Sequence, residues 1–196
     1  MWYGHKETVC WQQTALPEGF AERMAKLGLA ETYPESGWCF VESSVSAGVK
    51  VGSRRLDLSL RKEGQFLERG YAGNSMYIPG GRGGLMRDCA TTRPVPMSPE
   101  HVAKLLHSGA KKFTNAADID VVADLYKQYF CSITSTAQSL AFSELKWGDA
   151  QAAELAELLP RYTALRSLDL SLNQLGAVGA AKLAEALKLT KISELK

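Results

Sequence analysis

Apolar residues in the last third of the chain recur at two spacings, alternate positions first and helical positions after. In Leu165-x-x-Leu168-x-Leu170-x-x-Asn173-x-Leu175-Gly176, the leucines predict a short strand entering a tight turn. From Gly179 to Leu187 the apolar residues fall at helical spacing. The same order stands 28 positions earlier, where Leu140, Phe142, Trp147, Gly148, Leu155, Ala156 and Leu159 align in character with Leu168, Leu170, Leu175, Gly176, Leu183, Ala184 and Leu187. A fixed internal period points to stacked strand-turn-helix units, because one unit cannot bury its own leucines. Two units are present, and Ile192 and Leu195 begin a third. The amide of Asn173 is placed to satisfy backbone groups in the bend. Leu145 takes the aligned position in the earlier unit, which predicts an atypical first unit without such a contact.

This pattern, with Asn173-Gln174-Leu175-Gly176-x-x-Gly179 and the helix Ala180 to Leu187, resembles the ribonuclease-inhibitor type of leucine-rich repeat over residues 137 to 196. The resemblance implies a curved α/β stack whose strand face binds other macromolecules. Where Leu168 and Leu170 point inward, Ser167, Asp169 and Ser171 point outward. Arg166 flanks them, and Ser139, Ala141 and Ser143 are their counterparts in the preceding unit. Arg166, Ser167, Asp169, Ser171, Ser139 and Ser143 are therefore the expected partner-binding residues, on the strand face or beside an open repeat end. The string Leu56-Asp57-Leu58-Ser59-Leu60 echoes Leu168 to Leu172, but Gly84, Pro99, Lys112 and Lys127 interrupt the intervening registers. It reads as an independent strand.

In the N-terminal two-thirds, Thr8 to Thr14 is rich in β-forming residues, and Leu56, Leu58 and Leu60 alternate with polar positions. Between these two predicted strands, Pro17 to Leu27 and Cys39 to Val49 read as helices. Strand, helix and strand in that order predict a parallel α/β layer. Gly73 to Gly84 lacks the lysine and hydroxyl that close a phosphate loop and is expected to be a surface loop. Ser98-Pro99-Glu100 starts a helix that Gly109 ends, and Thr114 or Asn115 caps the next. In that second helix Ile119, Val122, Tyr126, Tyr129 and Phe130 form one stripe, expected to dock on the first repeat. The predicted fold class is α/β: an incomplete parallel layer over residues 1–97, a helical connector over 98–131, and a short repeat array over 132–196.

Composition narrows the function classes. With 45% hydrophobic and 22% charged residues the chain lies in the soluble globular range. A net charge of +2 and basic residues gathered only in pairs, such as Arg54-Arg55 and Lys111-Lys112, argue against nucleic acid. Cys10, Cys39, Cys89 and Cys131 are too far apart in sequence for a zinc motif and read as reduced thiols. His101 and His107, six apart on a predicted helix, face different sides. No apolar run is long enough for membrane insertion, and the first residues lack a signal-peptide layout. An intracellular protein, cytoplasmic by default and without metal or cofactor, is expected.

Tyr33-Pro34-Glu35-Ser36-Gly37-Trp38-Cys39-Phe40-Val41-Glu42 resembles the Tyr-x-x-Ser-x-Trp-Cys-x-x-Glu segment of Toll/interleukin-1 receptor (TIR) domains. In catalytic members the glutamate is implied to cleave NAD, which would give that role to Glu42. A carboxylate beside an aromatic residue could stabilise the developing oxocarbenium charge. Without that chemistry, Trp38 is a core anchor and Glu42 an exposed helix carboxylate. The opening strands of such a domain would precede Thr8. The same segment, with Leu56 to Leu60, Phe113-Thr114-Asn115 and Trp147-Gly148-Asp149, is similar to a family of dinoflagellate leucine-rich-repeat proteins. That likeness implies the architecture and an upstream portion, and no activity. The leading expectation is a non-catalytic protein-protein interaction or assembly module, such as an accessory subunit; the alternative is a TIR-like NAD hydrolase or nucleotide binder using Glu42.

Overall fold

The computed structural model describes residues 4–5, 7–61, 70–72, 75–77 and 88–196. In chain order the elements are β1 (Cys10–Gln12), α1 (Phe20–Lys26), α2 (Gly37–Val49), β2 (Arg55–Asp57), β3 (Gly70–Ala72), β4 (Ser75–Tyr77), α3 (Pro99–His107), α4 (Asp118–Thr136), β5 (Ser139–Ala141), α5 (Asp149–Leu158), β6 (Ser167–Asp169), α6 (Ala177–Leu187) and β7 (Glu194–Leu195). The chain is α/β. β1 and β2 are parallel, with Cys10 opposite Arg55 and Trp11 opposite Leu56. The expected surface loop at 73–84 lies outside the described residues except at 75–77. There the backbone forms β4, antiparallel to β3.

The alternation of Leu56, Leu58 and Leu60 does not produce a strand of that length. β2 stops at Asp57, whose carboxylate accepts the Ser59 N–H at 2.9 Å and turns the chain into a 3-10 turn over Leu58–Leu60. Leu60 is left exposed, while Leu56 is buried against Cys89. α1 is shorter than Pro17 to Leu27, since Gly19 lies at φ 71° and the helix begins only after it. α2 starts at Gly37, two residues before the predicted limit, because the Ser36 hydroxyl caps it.

α3 begins as its capping signal predicts, with the Ser98 hydroxyl accepting the His101 N–H at 3.1 Å, and Gly109 follows its end at φ 78°. α4 starts later than a cap at Thr114 or Asn115 would place it. Asn115 instead makes a turn before the helix, its side chain accepting from Ala117 N–H at 3.1 Å and its carbonyl from Asp118 N–H at 3.0 Å. The stripe of α4 buries Val122, Tyr126 and Phe130. Tyr126 donates to the Met97 carbonyl at 2.8 Å and Tyr129 to the Val45 carbonyl at 3.0 Å. Gly48 lets α2 and α4 approach, since a Cβ there would lie 2.3 Å from the Tyr129 hydroxyl oxygen. Phe130 meets Tyr162 edge-on, with ring centroids 6.3 Å apart. The stripe is thus shared among α2, the segment leading into α3 and the first C-terminal unit.

β5, β6 and β7 form a parallel sheet in that order. Leu140 pairs with Leu168 and Ser139 with Ser167, an offset of 28 residues, and Leu168 pairs in turn with Leu195. One core runs from Val41 and Val45 on α2, through Val122 and Phe130, to Leu168 and Leu183. No described helix is long and apolar enough to cross a membrane.

Candidate functional site

The two C-terminal units are locked together at their turns. Asn173 Oδ1 accepts the backbone N–H groups of Leu145 (3.0 Å) and Trp147 (3.1 Å), and its amide donates to the carbonyls of Phe142 (2.6 Å) and Leu170 (2.9 Å). The first unit has no asparagine of its own but does receive this contact, from its neighbour rather than from Leu145. One helix earlier, Asp149 accepts the Gly176 N–H at 2.7 Å. α6 sits so close to α5 that a Cβ on Gly179 would lie 2.6 Å from Asp149 Oδ1 and 2.9 Å from the Asp149 backbone.

The outward residues of the sheet lie where the alternation puts them. Ser139 and Arg166 are exposed, and Ser143, Ser167, Asp169 and Ser171 are half-buried. β6 is the central strand, so Ser139 and Glu194 flank Ser167 across the face. Asp169 is not a free surface charge. Its carboxylate accepts both the N–H (2.9 Å) and the hydroxyl (2.6 Å) of Ser171, and these bonds hold it below the usual carboxylate range, with Lys196 adding a smaller push in the same direction.

Beyond Asp169 the chain enters a turn in which Leu172 lies at φ 57° and is 74% exposed. Glu144, 28 residues earlier, has nearly the same φ of 59°, so the left-handed residue at this position recurs in both units. The residue type is not: a charged side chain in the first unit is replaced by a leucine in the second. Val178 and Leu189 of the second unit, and Leu195 at the start of the third, are also exposed, at 66%, 73% and 54%. Val178 and Leu189 align with Ala150 and Arg161 of the unit before.

Glu42 is half-buried on α2 and is not among the described residues lining the clefts that α2 borders through Ser43, through Trp38 and Cys39, and through Gly48 and Val49. Trp38 is no core anchor, being 40% exposed with its indole N–H donating to Asp118 at 3.0 Å. All four cysteines are free thiols, and no cluster of three metal-binding side chains occurs among the described residues.

No family model, curated protein or solved structure matches this chain. Its function has to be read from its own geometry, and that includes groups the sequence pattern hid. Lys50, Arg55 and Arg93 are buried. Lys50 donates to the carbonyls of His5 and Thr8 and to the Thr8 hydroxyl, pinning the N-terminal segment to the end of α2. Arg55 donates to Ser46 Oγ (3.0 Å), Ser43 Oγ (2.9 Å) and the Thr92 carbonyl (2.8 Å). Arg93 donates to the carbonyls of Ala47 (2.8 Å) and Ala141 (2.5 Å) and lies 4.8 Å over the Phe142 ring. Burial pushes the Arg93 guanidinium down to about 10, and the neighbouring Arg55 charge pushes the same way. Trp147 closes the joint by donating its indole N–H to the Arg93 carbonyl at 2.9 Å. Arg93 thereby ties α2 and β5 together.

Proposed function

We propose that this protein is a non-catalytic assembly module, that its C-terminal units are leucine-rich repeats of the ribonuclease-inhibitor type, and that it docks another protein at the exposed turn that carries Leu172. The 28-residue strand register and the Asn173 contact to the preceding turn support the repeat assignment. Leu172 carries the docking assignment. The left-handed conformation costs a residue with a Cβ about 1 kcal/mol or more. Glycine or asparagine would relieve that cost, and an exposed leucine offsets none of it by burial in the isolated chain. A leucine held there in the open is explained by burial in a partner.

The partner surface that fits is an apolar recess that takes the Leu172 side chain, which is 74% exposed. The polar strand-face residues Ser139, Ser143, Arg166, Ser167, Asp169 and Ser171 supply the rim of such a contact rather than its centre. The NAD-cleaving alternative gains no support from the clefts beside Ser43, Trp38 and Gly48, since Glu42 is not among the described residues that line them.

The test is photo-crosslinking in the source cells, with benzoylphenylalanine replacing Leu172 in the full chain and, separately, the exposed Lys26 on α1. The proposal expects one discrete protein adduct at position 172 and none at position 26. No adduct, or the same adducts from both positions, overturns it.

A further inference from the structure

Between the N-terminal layer and the first C-terminal unit lies a cleft of about 520 Å³, lined among others by Gln12, Arg55, Thr92, Arg93, Lys146 and Gln151. None of the described residues that line it is acidic. Arg55 is 2% exposed and Arg93 5%, and every hydrogen bond either makes among the described residues goes to a hydroxyl or a carbonyl. Two guanidinium charges close enough to repel each other are therefore buried with hydroxyls, carbonyls and the Phe142 ring, and no carboxylate, as their partners among the described residues. Their hydrogen bonds are satisfied but their charge is not countered, and burying an ion without a counter-charge costs up to several kcal/mol, which an anion beside the charges would offset in part.

Lys146 adds a third cation at the rim. Its backbone is also left-handed, at φ 57°, and the turn that holds it there is fixed on either side by Asn173 Oδ1 bonding to Leu145 and Trp147. Arg93 also borders a second cleft of about 820 Å³, but that one contains Glu7, which pairs with Arg54 at 2.7 Å. The first cleft, with no acid among its described residues, is the better anion site.

We propose that the cleft between Arg55, Arg93 and Lys146 binds a phosphorylated small molecule, with its phosphate next to the two guanidinium groups. Three cations without an acid call for a ligand bearing at least two negative charges on one group, and guanidinium is the side chain whose planar fork matches a phosphate. The volume suits a small molecule carrying that phosphate, since ligand clefts run from about 300 to 1,000 Å³.

The experiment is titration calorimetry with thermal unfolding on the full chain, using ribose 5-phosphate, inorganic phosphate and ribose at constant ionic strength. Saturable binding of ribose 5-phosphate, a melting temperature that rises with its concentration, and no response to ribose are expected. Inorganic phosphate should bind to the same site and compete. Lys146→Glu, an exposed rim change that spares the buried arginines, should weaken binding by about tenfold or more, a difference of about 1.4 kcal/mol. Lys104→Glu, on the exposed side of α3, and Arg54→Glu, in the second cleft only, should bind as the parent does. Overturning results are no saturable binding of ribose 5-phosphate, equal responses to ribose, or equal losses in Lys146→Glu and either control.

Discussion

Asn173 reaches back 28 residues to Leu145, the position it aligns with in the preceding unit, and accepts that residue's backbone N–H at 3.0 Å. One side chain thus completes two turns, its own through the Leu170 carbonyl and its neighbour's through Phe142, Leu145 and Trp147. Asn173→Ala would strip partners from two half-buried or buried donors and two carbonyls at once. A loss of about 2 to 4 kcal/mol is expected, since each unsatisfied buried group costs about 1 to 3 kcal/mol. Urea unfolding of the parent and the variant measures it. Asn173→Leu, which copies the residue type of position 145, should lose as much.

The close approach of α5 and α6 gives a second prediction. Gly179→Ala introduces a Cβ that meets Asp149 backbone as well as side chain, so the helices must separate. Destabilisation of about 1 to 3 kcal/mol is expected, as for other overpacked cores. Asp149→Ala on the same chain should recover only part of it, because the new Cβ still lies 2.9 Å from the backbone of residue 149. Full recovery in the double variant would place the clash in the carboxylate alone.

A third prediction concerns acid. The Ser171 hydroxyl and N–H lower the Asp169 carboxyl from its ordinary value, with a smaller contribution from Lys196. A carboxylate lowered by folding contributes stability that is complete above its unfolded value and is lost as pH falls through its folded value. The stability difference between the parent and Asp169→Asn should therefore be constant near neutral pH and shrink as the pH drops below the usual aspartate range. Carboxyl carbon NMR should place the Asp169 midpoint below that of an exposed aspartate. A difference that grows in acid would contradict the hydrogen-bond account.

The parts of this fold that were legible in the sequence are those written by apolar spacing. Leu140 and Leu168 announce the parallel pair because strand periodicity and the 28-residue repeat coincide there. The Ser98-Pro99 start of α3 is legible because a cap is local chemistry. What stayed hidden depends on interactions between distant residues. Leu145 suggests no ladder interaction because the side chain that supplies it is 28 residues away. Leu58 and Leu60 look like strand residues because nothing in alternation reveals that Asp57 will cap a turn. Arg55 and Arg93 look like surface charges, since polarity gives no hint of carbonyls brought in from Ala47, Thr92 and Ala141. Leu172 is not legible as a docking residue because the repeat pattern places position 172 in the turn without fixing which way its side chain faces. Its left-handed backbone is a property of the folded turn.

The docking account is tested most directly by Leu172→Asn. Asparagine adopts the left-handed conformation more readily than leucine, so the turn is kept and its strain reduced. The melting temperature should stay level or rise, by about 2 to 4 °C per kcal/mol gained in a chain of this size. The measurement is recovery of the protein crosslinked at position 172, by affinity purification of the parent and of Leu172→Asn from the same source cells. The account predicts a folded variant, at least as stable as the parent, that no longer retains that protein. Equal recovery by a variant of unchanged stability would contradict it.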